Sequence, residues 1–153
     1  AKRIERFLWR ARSFAPAGAI EVPDGPESLA ADGTRAYTHS WKGESYAIDL
    51  ERGEVVARFQ NGCEGARGLA LDAAHGLLFA GCAEGKVTSV SLATLQPVGS
   101  APAGKGVDII AFAPGLRHLY APAGDAASLT VIAGNAWVCD PAHGRLLVFR
   151  DPP

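Results

Sequence analysis

The side chains best suited to chemistry in this sequence are three cysteines, four histidines and a scatter of carboxylates, and their spacing decides what they could do. No HxH or HExxH spacing sets two imidazoles on one metal. Cys63, Cys82 and Cys139 match no zinc pattern and are too few for a disulfide scaffold. The plainest reading of each is a small buried hydrophobe. Ser, Cys and His are present for a nucleophilic site, but no Gly-x-Ser-x-Gly elbow occurs. The run Ala103-Gly-Lys-Gly-Val-Asp108 lacks the spacing and the Ser or Thr of a phosphate-binding loop, and reads as a connection. No cofactor is predicted.

The composition sets the frame for these residues. Of 153 residues, 48% are hydrophobic, enough to bury a core and too many for a disordered chain. A formal net charge of −1 gives no reason to expect nucleic acid as a partner. No apolar run has the length of a membrane-spanning helix. Eighteen Gly and ten Pro point to many tight turns. The absence of Met implies that Ala1 follows a removed initiator, a cleaved leader or a missing upstream segment.

What must position the polar residues is an internal repeat. Three phrases align, around Glu27–Tyr37, Arg67–Phe79 and Asp108–Tyr120, and their terminal aromatics lie 42 and 41 residues apart. That period falls in the range of about 40–45 residues expected for four-stranded propeller blades. Each unit reads as a short strand, a turn, a second strand ending on the aromatic, a Gly-containing turn and a third strand. The third strands are Ser45–Leu50, Val87–Leu92 and Ser128–Ile132. Fourth strands follow at Glu54–Phe59 and Gln96–Ser100.

The expected fold is therefore all-β, a β-propeller within one domain. Units fall at about 24–61, 62–103 and 104–132, between partial blades at 1–23 and 135–150. Half a repeat is missing near Ala133–Asn135, where Tyr120 and the equivalent Trp137 are only 17 residues apart. Three units plus pieces fall short of the usual ring of about four to eight blades, so the ring is closed by the chain ends, extended by further blades, or open and self-associating. A β-sandwich is the alternative, but it does not by itself predict the repeated phrase.

The stretch Gly62–His75, with Leu78–Cys82 and Gly104–Phe112, resembles bacterial YVTN-type β-propeller repeat proteins. The resemblance runs from about Ala17 to Ile132 and resumes at Trp137. It implies a propeller fold, and an exported protein, periplasmic or extracellular, in a family with many members of no assigned activity.

On a propeller, the loop leading into the innermost strand and the loop between second and third strands open on one face. The leading positions are Glu27, Arg67 and Asp108, expected to ring the channel mouth as a polar ligand or metal site, or simply to solvate it. The second loops contribute His39, Trp41 and Asp125, with Trp41 either a partner-binding anchor or a cover for the core rim. Cys63 and Cys82 fall on that face too, where they form a disulfide or stay as free thiols. His75, His118 and His143 lie in or near turns.

The function expected is a non-catalytic binding or scaffold protein that presents one loop face to a protein or small ligand. Two alternatives stand beside it. One is a propeller enzyme, lactonase-like or a cofactor-associated oxidoreductase, with Glu27 and Asp108 holding a divalent cation at the channel mouth. The other is a structural subunit of a larger assembly. Fold alone does not choose among them.

Overall fold

The computed structural model of the chain describes residues 2–133 and, in backbone alone, Cys139–Asp140 and Arg145–Leu146. Short strands bounded by turns build the protein, and the only helical turn among the described residues is a 3-10 turn at Ala73–His75. There the buried Asp72 carboxylate accepts from the His75 backbone N–H and meets its ring Nδ1 at 2.8 Å, so this histidine serves a turn.

The chain opens with a hairpin of β1 (Arg3–Arg10) and β2 (Ser13–Glu21). Its two turn residues, Ala11 and Arg12, both have positive φ, as a tight two-residue turn of the primed class requires. The first four-stranded sheet follows: β3 (Leu29–Ala31), β4 (Arg35–His39), β5 (Glu44–Asp49) and β6 (Glu54–Gln60). The second comprises β7 (Ala66–Asp72), β8 (Leu77–Cys82), β9 (Lys86–Ser91) and β10 (Gln96–Pro102). A third, of three strands, comprises β11 (Ala111–Ala113), β12 (His118–Ala123) and β13 (Ser128–Ala133). Last come β14 (Cys139–Asp140) and β15 (Arg145–Leu146), which pair with each other. Every sheet is an antiparallel meander in which sequence neighbours are hydrogen-bonded neighbours.

The repeat is visible in the turns. Leu50 N–H bonds the Thr34 carbonyl as Leu92 N–H bonds that of Gly76, and Gly53 N–H bonds Asp49 as Leu95 N–H bonds Ser91. One boundary differs from the sequence reading. The second strands do not stop at Tyr37, Phe79 and Tyr120 but run on to His39, Cys82 and Ala123. These later residues still pair with the next strand, as His39 with Ser45, Cys82 with Lys86 and Ala123 with Ser128. The expected break near Ala133–Asn135 runs past the described residues, as do Trp137 and His143.

Strand alternation divides the core. All six residues of β8 are buried, but on two sides. Leu78, Ala80 and Cys82 pack with Tyr37, Ala47 and Phe59 of the first sheet. Leu77 and Phe79 pack with Leu119, Ala121 and Ile132 of the third, where the Phe79 and Phe112 rings are 5.6 Å apart. In the first sheet Ala36 and Ile48 turn the other way, onto Ile20 and Val22 from the hairpin arm. Each four-stranded sheet is thus apolar on both faces and sandwiched between its neighbours. No helix among the described residues is long and apolar enough to cross a membrane.

Candidate functional site

Where the loops leading into the sheets meet the loops after their second strands, a run of backbone hydrogen bonds ties one to the next. Ala66 N–H donates to the Trp41 carbonyl at 3.0 Å and Ala83 N–H to Gly65 at 2.8 Å. Gly106 N–H donates to Ala83 at 2.9 Å and Gly124 N–H to Gly106 at 3.0 Å. These peptide groups satisfy one another and tie each loop to the next through backbone bonds.

Between them opens a cleft of about 340 Å³ lined by Arg67, Ala83, Gly106, Val107, Asp108, Gly124 and Asp125. Gly68 makes the approach possible: a Cβ there would come within 2.6 Å of the Ile110 backbone nitrogen and 2.8 Å of the Asp108 carbonyl. With no side chain in the way, β7 lies against the 108–110 segment, and Arg67 and Asp108 share one cavity. The Arg67 guanidinium carbon stands 2.8 Å from the centroid of the half-exposed Trp41 ring, a cation–π stack at the rim.

Behind this rim lies a buried polar network. His39 is fully buried, and its Nε2 is 2.7 Å from the Arg67 carbonyl oxygen. A carbonyl only accepts, so Nε2 carries the proton and Nδ1 is the acceptor. Nδ1 faces the side-chain amide nitrogen of Asn61 at 3.4 Å, which also donates to Ser45 Oγ at 2.9 Å. Asn61 Oδ1 accepts from Cys63 N–H at 3.0 Å, and the Asn61 carbonyl accepts from Thr88 Oγ1 at 2.6 Å. Burial pushes the imidazole's pKa below its ordinary value, against the opposing pull of the Arg67 carbonyl.

Cys63 and Cys82 are joined in a disulfide between the loop leading into β7 and the end of β8, with Cα atoms 5.2 Å apart. Beside it the Glu84 carboxylate accepts from the Glu64 N–H at 2.8 Å and the Gly65 N–H at 3.1 Å. Partial burial alone would raise the Glu84 pKa, but these bonds, with Lys86 at 3.4 Å, outweigh it and hold it below the usual value.

At the level of fold the chain has a solved counterpart. It is similar to a chain of Kuenenia stuttgartiensis hydrazine synthase, with a TM-score of 0.69 over 94% of this chain and 15% sequence identity. The chain spans 42% of the length of that chain, and at such identity the likeness concerns architecture alone. No protein-family model matches the sequence, and no curated protein does.

Of the residues the sequence singles out, Arg67, Asp108 and Asp125 come together in the cleft, with Trp41 at its rim through Arg67. Glu27 does not join them; it is exposed, is not among the cleft walls, and its backbone N–H binds the His39 carbonyl. The expected pairing of Glu27 with Asp108 on one cation therefore has no support in the geometry. His39 is no surface ligand, because β4 continues through it and its ring is spent on Arg67 and Asn61. Sequence reasoning missed Asn61, whose Asn-Gly dipeptide reads as an ordinary turn signal. Among the described residues, the group of three acidic, Cys or His side chains close enough to share an ion is Cys63, Cys82 and Glu84, none of them a wall of the Asp108 cleft.

Proposed function

We propose that the chain is a run of blades from a β-propeller of YVTN-type repeats, working as a non-catalytic binding module that grips a protein partner by a basic side chain. The observation that carries this reading is the cleft, lined by Asp108 and Asp125 together with an Arg67 already engaged on Trp41. An ammonium or guanidinium entering there would receive charge-assisted hydrogen bonds from the carboxylates. Supporting the propeller itself are the face-to-face stacking of successive meander sheets, the matching turn bonds and the architectural likeness to the hydrazine synthase chain. The module belongs in an oxidising setting such as the bacterial periplasm or cell surface, where the Cys63–Cys82 bond persists. An open array would also self-associate through its uncovered edge strands.

The enzyme reading is weaker on these residues. Asp108 and Asp125 supply two carboxylates, and no third ligand within sharing distance completes a metal site with them among the described residues. The test is titration of lysine-rich and glutamate-rich peptides of equal length. The lysine peptide binds, its affinity falls as salt rises, and Asp108→Asn with Asp125→Asn lowers it by about tenfold or more. Equal binding of both peptides, or indifference to the double substitution, refutes the reading.

A further inference from the structure

We propose that Cys63, Cys82 and Glu84 form a soft-metal site that is closed while the disulfide is intact and opens to Zn2+ when it is reduced. The two sulfurs and a Glu84 carboxylate oxygen all lie within 4.8 Å of one another. In a tetrahedral zinc site, metal–ligand distances of about 2.0 Å for oxygen and 2.3 Å for sulfur set neighbouring ligands about 3.3–3.8 Å apart, so the cluster needs only a small readjustment. The Cα separation of 5.2 Å allows the freed sulfurs to part without moving the backbone far. Two thiolates select a soft or borderline ion and disfavour Ca2+ and Mg2+, which take oxygen ligands.

The surroundings fit a metal better than they fit a bare thiol pair. Glu84 is the partly exposed member, while Cys63 and Cys82 are buried, so the carboxylate stands on the solvent side of the site. Its orientation is fixed by the Glu64 and Gly65 N–H groups, the role that outer hydrogen bonds play for ligating carboxylates. Oε1 already meets the Glu64 N–H and Lys86 Nζ, so Oε2, which accepts from the Gly65 N–H, is the oxygen with a lone pair to offer an ion. Two thiolates, one carboxylate and Zn2+ sum to a single negative charge, and Lys86 Nζ, 3.4 Å from Glu84 Oε1, offsets it. A water completes the coordination.

The chemistry balances with a dithiol as reductant. One dithiol thiolate attacks a sulfur of the Cys63–Cys82 bond, and its second thiol resolves the mixed disulfide. The dithiol leaves as its own disulfide, and two electrons and two protons pass to the cysteines. Zn2+ then displaces both thiol protons to solvent as the Zn–S bonds form. The site goes beyond the peptide-binding cleft and does not depend on it.

The experiment uses the full chain carrying Cys139→Ser, reduced with dithiothreitol and freed of it without air, then titrated with Zn2+ and separately with Co2+. Expected are about one bound ion per chain, tetrahedral cobalt bands with sulfur-to-cobalt charge transfer, and no binding by the oxidised protein. Glu84→Gln weakens binding by about tenfold or more while the sulfur-to-cobalt band remains, and Cys63→Ser abolishes that band. Folded reduced protein that takes up no Zn2+, or a Cys63→Ser, Cys82→Ser variant that binds as well, overturns the proposal. Unfolding on reduction, read by far-ultraviolet circular dichroism, overturns it too, because only the fold holds Glu84 beside the sulfurs.

Discussion

The Nε2–H of His39 donates to the backbone carbonyl of Arg67 at 2.7 Å, so a buried imidazole in the first sheet fixes the residue that leads the second. The same arginine stacks its side chain on Trp41, one turn beyond His39. Fold and surface are coupled through a single peptide group, and the consequences can be measured.

Acid should loosen this joint. His39 holds its proton less readily in the fold than in the unfolded chain, where its pKa is near the ordinary 6.5. As pH falls through that value the unfolded state takes up the proton first. Stability from neutral His39 is therefore complete above the unfolded pKa and declines as pH drops below it. Protonation would also aim Nδ1–H at the Asn61 amide nitrogen, a donor facing a donor. Urea unfolding over about pH 5 to 7.5 should show a steeper acid-side loss for the native chain than for His39→Gln; parallel curves would refute this assignment.

Removing Asn61 should cost more than one hydrogen bond. Asn61→Ala leaves the Cys63 N–H, Ser45 Oγ and His39 Nδ1 without their partner in a buried site. With each stranded group worth about 1–3 kcal/mol, a loss of about 3 kcal/mol is expected in urea denaturation. A change under about 1 kcal/mol would mean that water replaces the amide.

Gly43 tolerates no side chain. Its φ is +79°, and a Cβ would meet the Cys63 carbonyl oxygen far inside van der Waals contact. Gly43→Ala is expected to destabilise by about 2 kcal/mol or more, read as a drop in Tm, with the Trp41 fluorescence shifting as its loop moves.

The disulfide closes a loop of 19 residues in sequence separation. Cys63→Ala with Cys82→Ala should lower stability by about 3 kcal/mol under oxidising conditions. The reduced native chain should match the double variant in the absence of metal and exceed it when Zn2+ is added.

The stack at the rim is a smaller effect. A double-substitution cycle of Trp41→Ala and Arg67→Ala should return a coupling of about 0.5–1 kcal/mol in stability, as exposed cation–π pairs do. No coupling would show that the two side chains part in solution.

The strands were legible because their alternation and turn residues repeat every 41 or 42 residues, and short turns leave each sheet one sequential order. Burial inside the loop region was not. His39 follows the aromatic Tyr37, and nothing in its type tells a loop residue from the last rung of a strand. Its equivalent in the second sheet is Gly81, which offers no polar pattern to compare. Glu27 aligned with Arg67 and Asp108 by phrase, but its loop is tied to β4 and β7, with the Glu27 N–H on the His39 carbonyl and Ser28 Oγ accepting from the Leu69 N–H, and Glu27 is not among the cleft walls. Arg67 and Asp108 share a cavity by way of Gly68, whose missing Cβ matters only in three dimensions and carries no signal in the sequence.

The loop-to-loop bonds of Ala66, Ala83, Gly106 and Gly124 run from peptide to peptide. The exposed side chains beside them, Trp41 and Asp125, take no part in these bonds and can be exchanged, whereas Ala66 is fully buried and Gly106 has no room for a Cβ. Selection can exchange what the face recognises without renegotiating the distances across it. The rim behaves as a chassis with interchangeable fittings, and divergence of specificity should outpace divergence of shape.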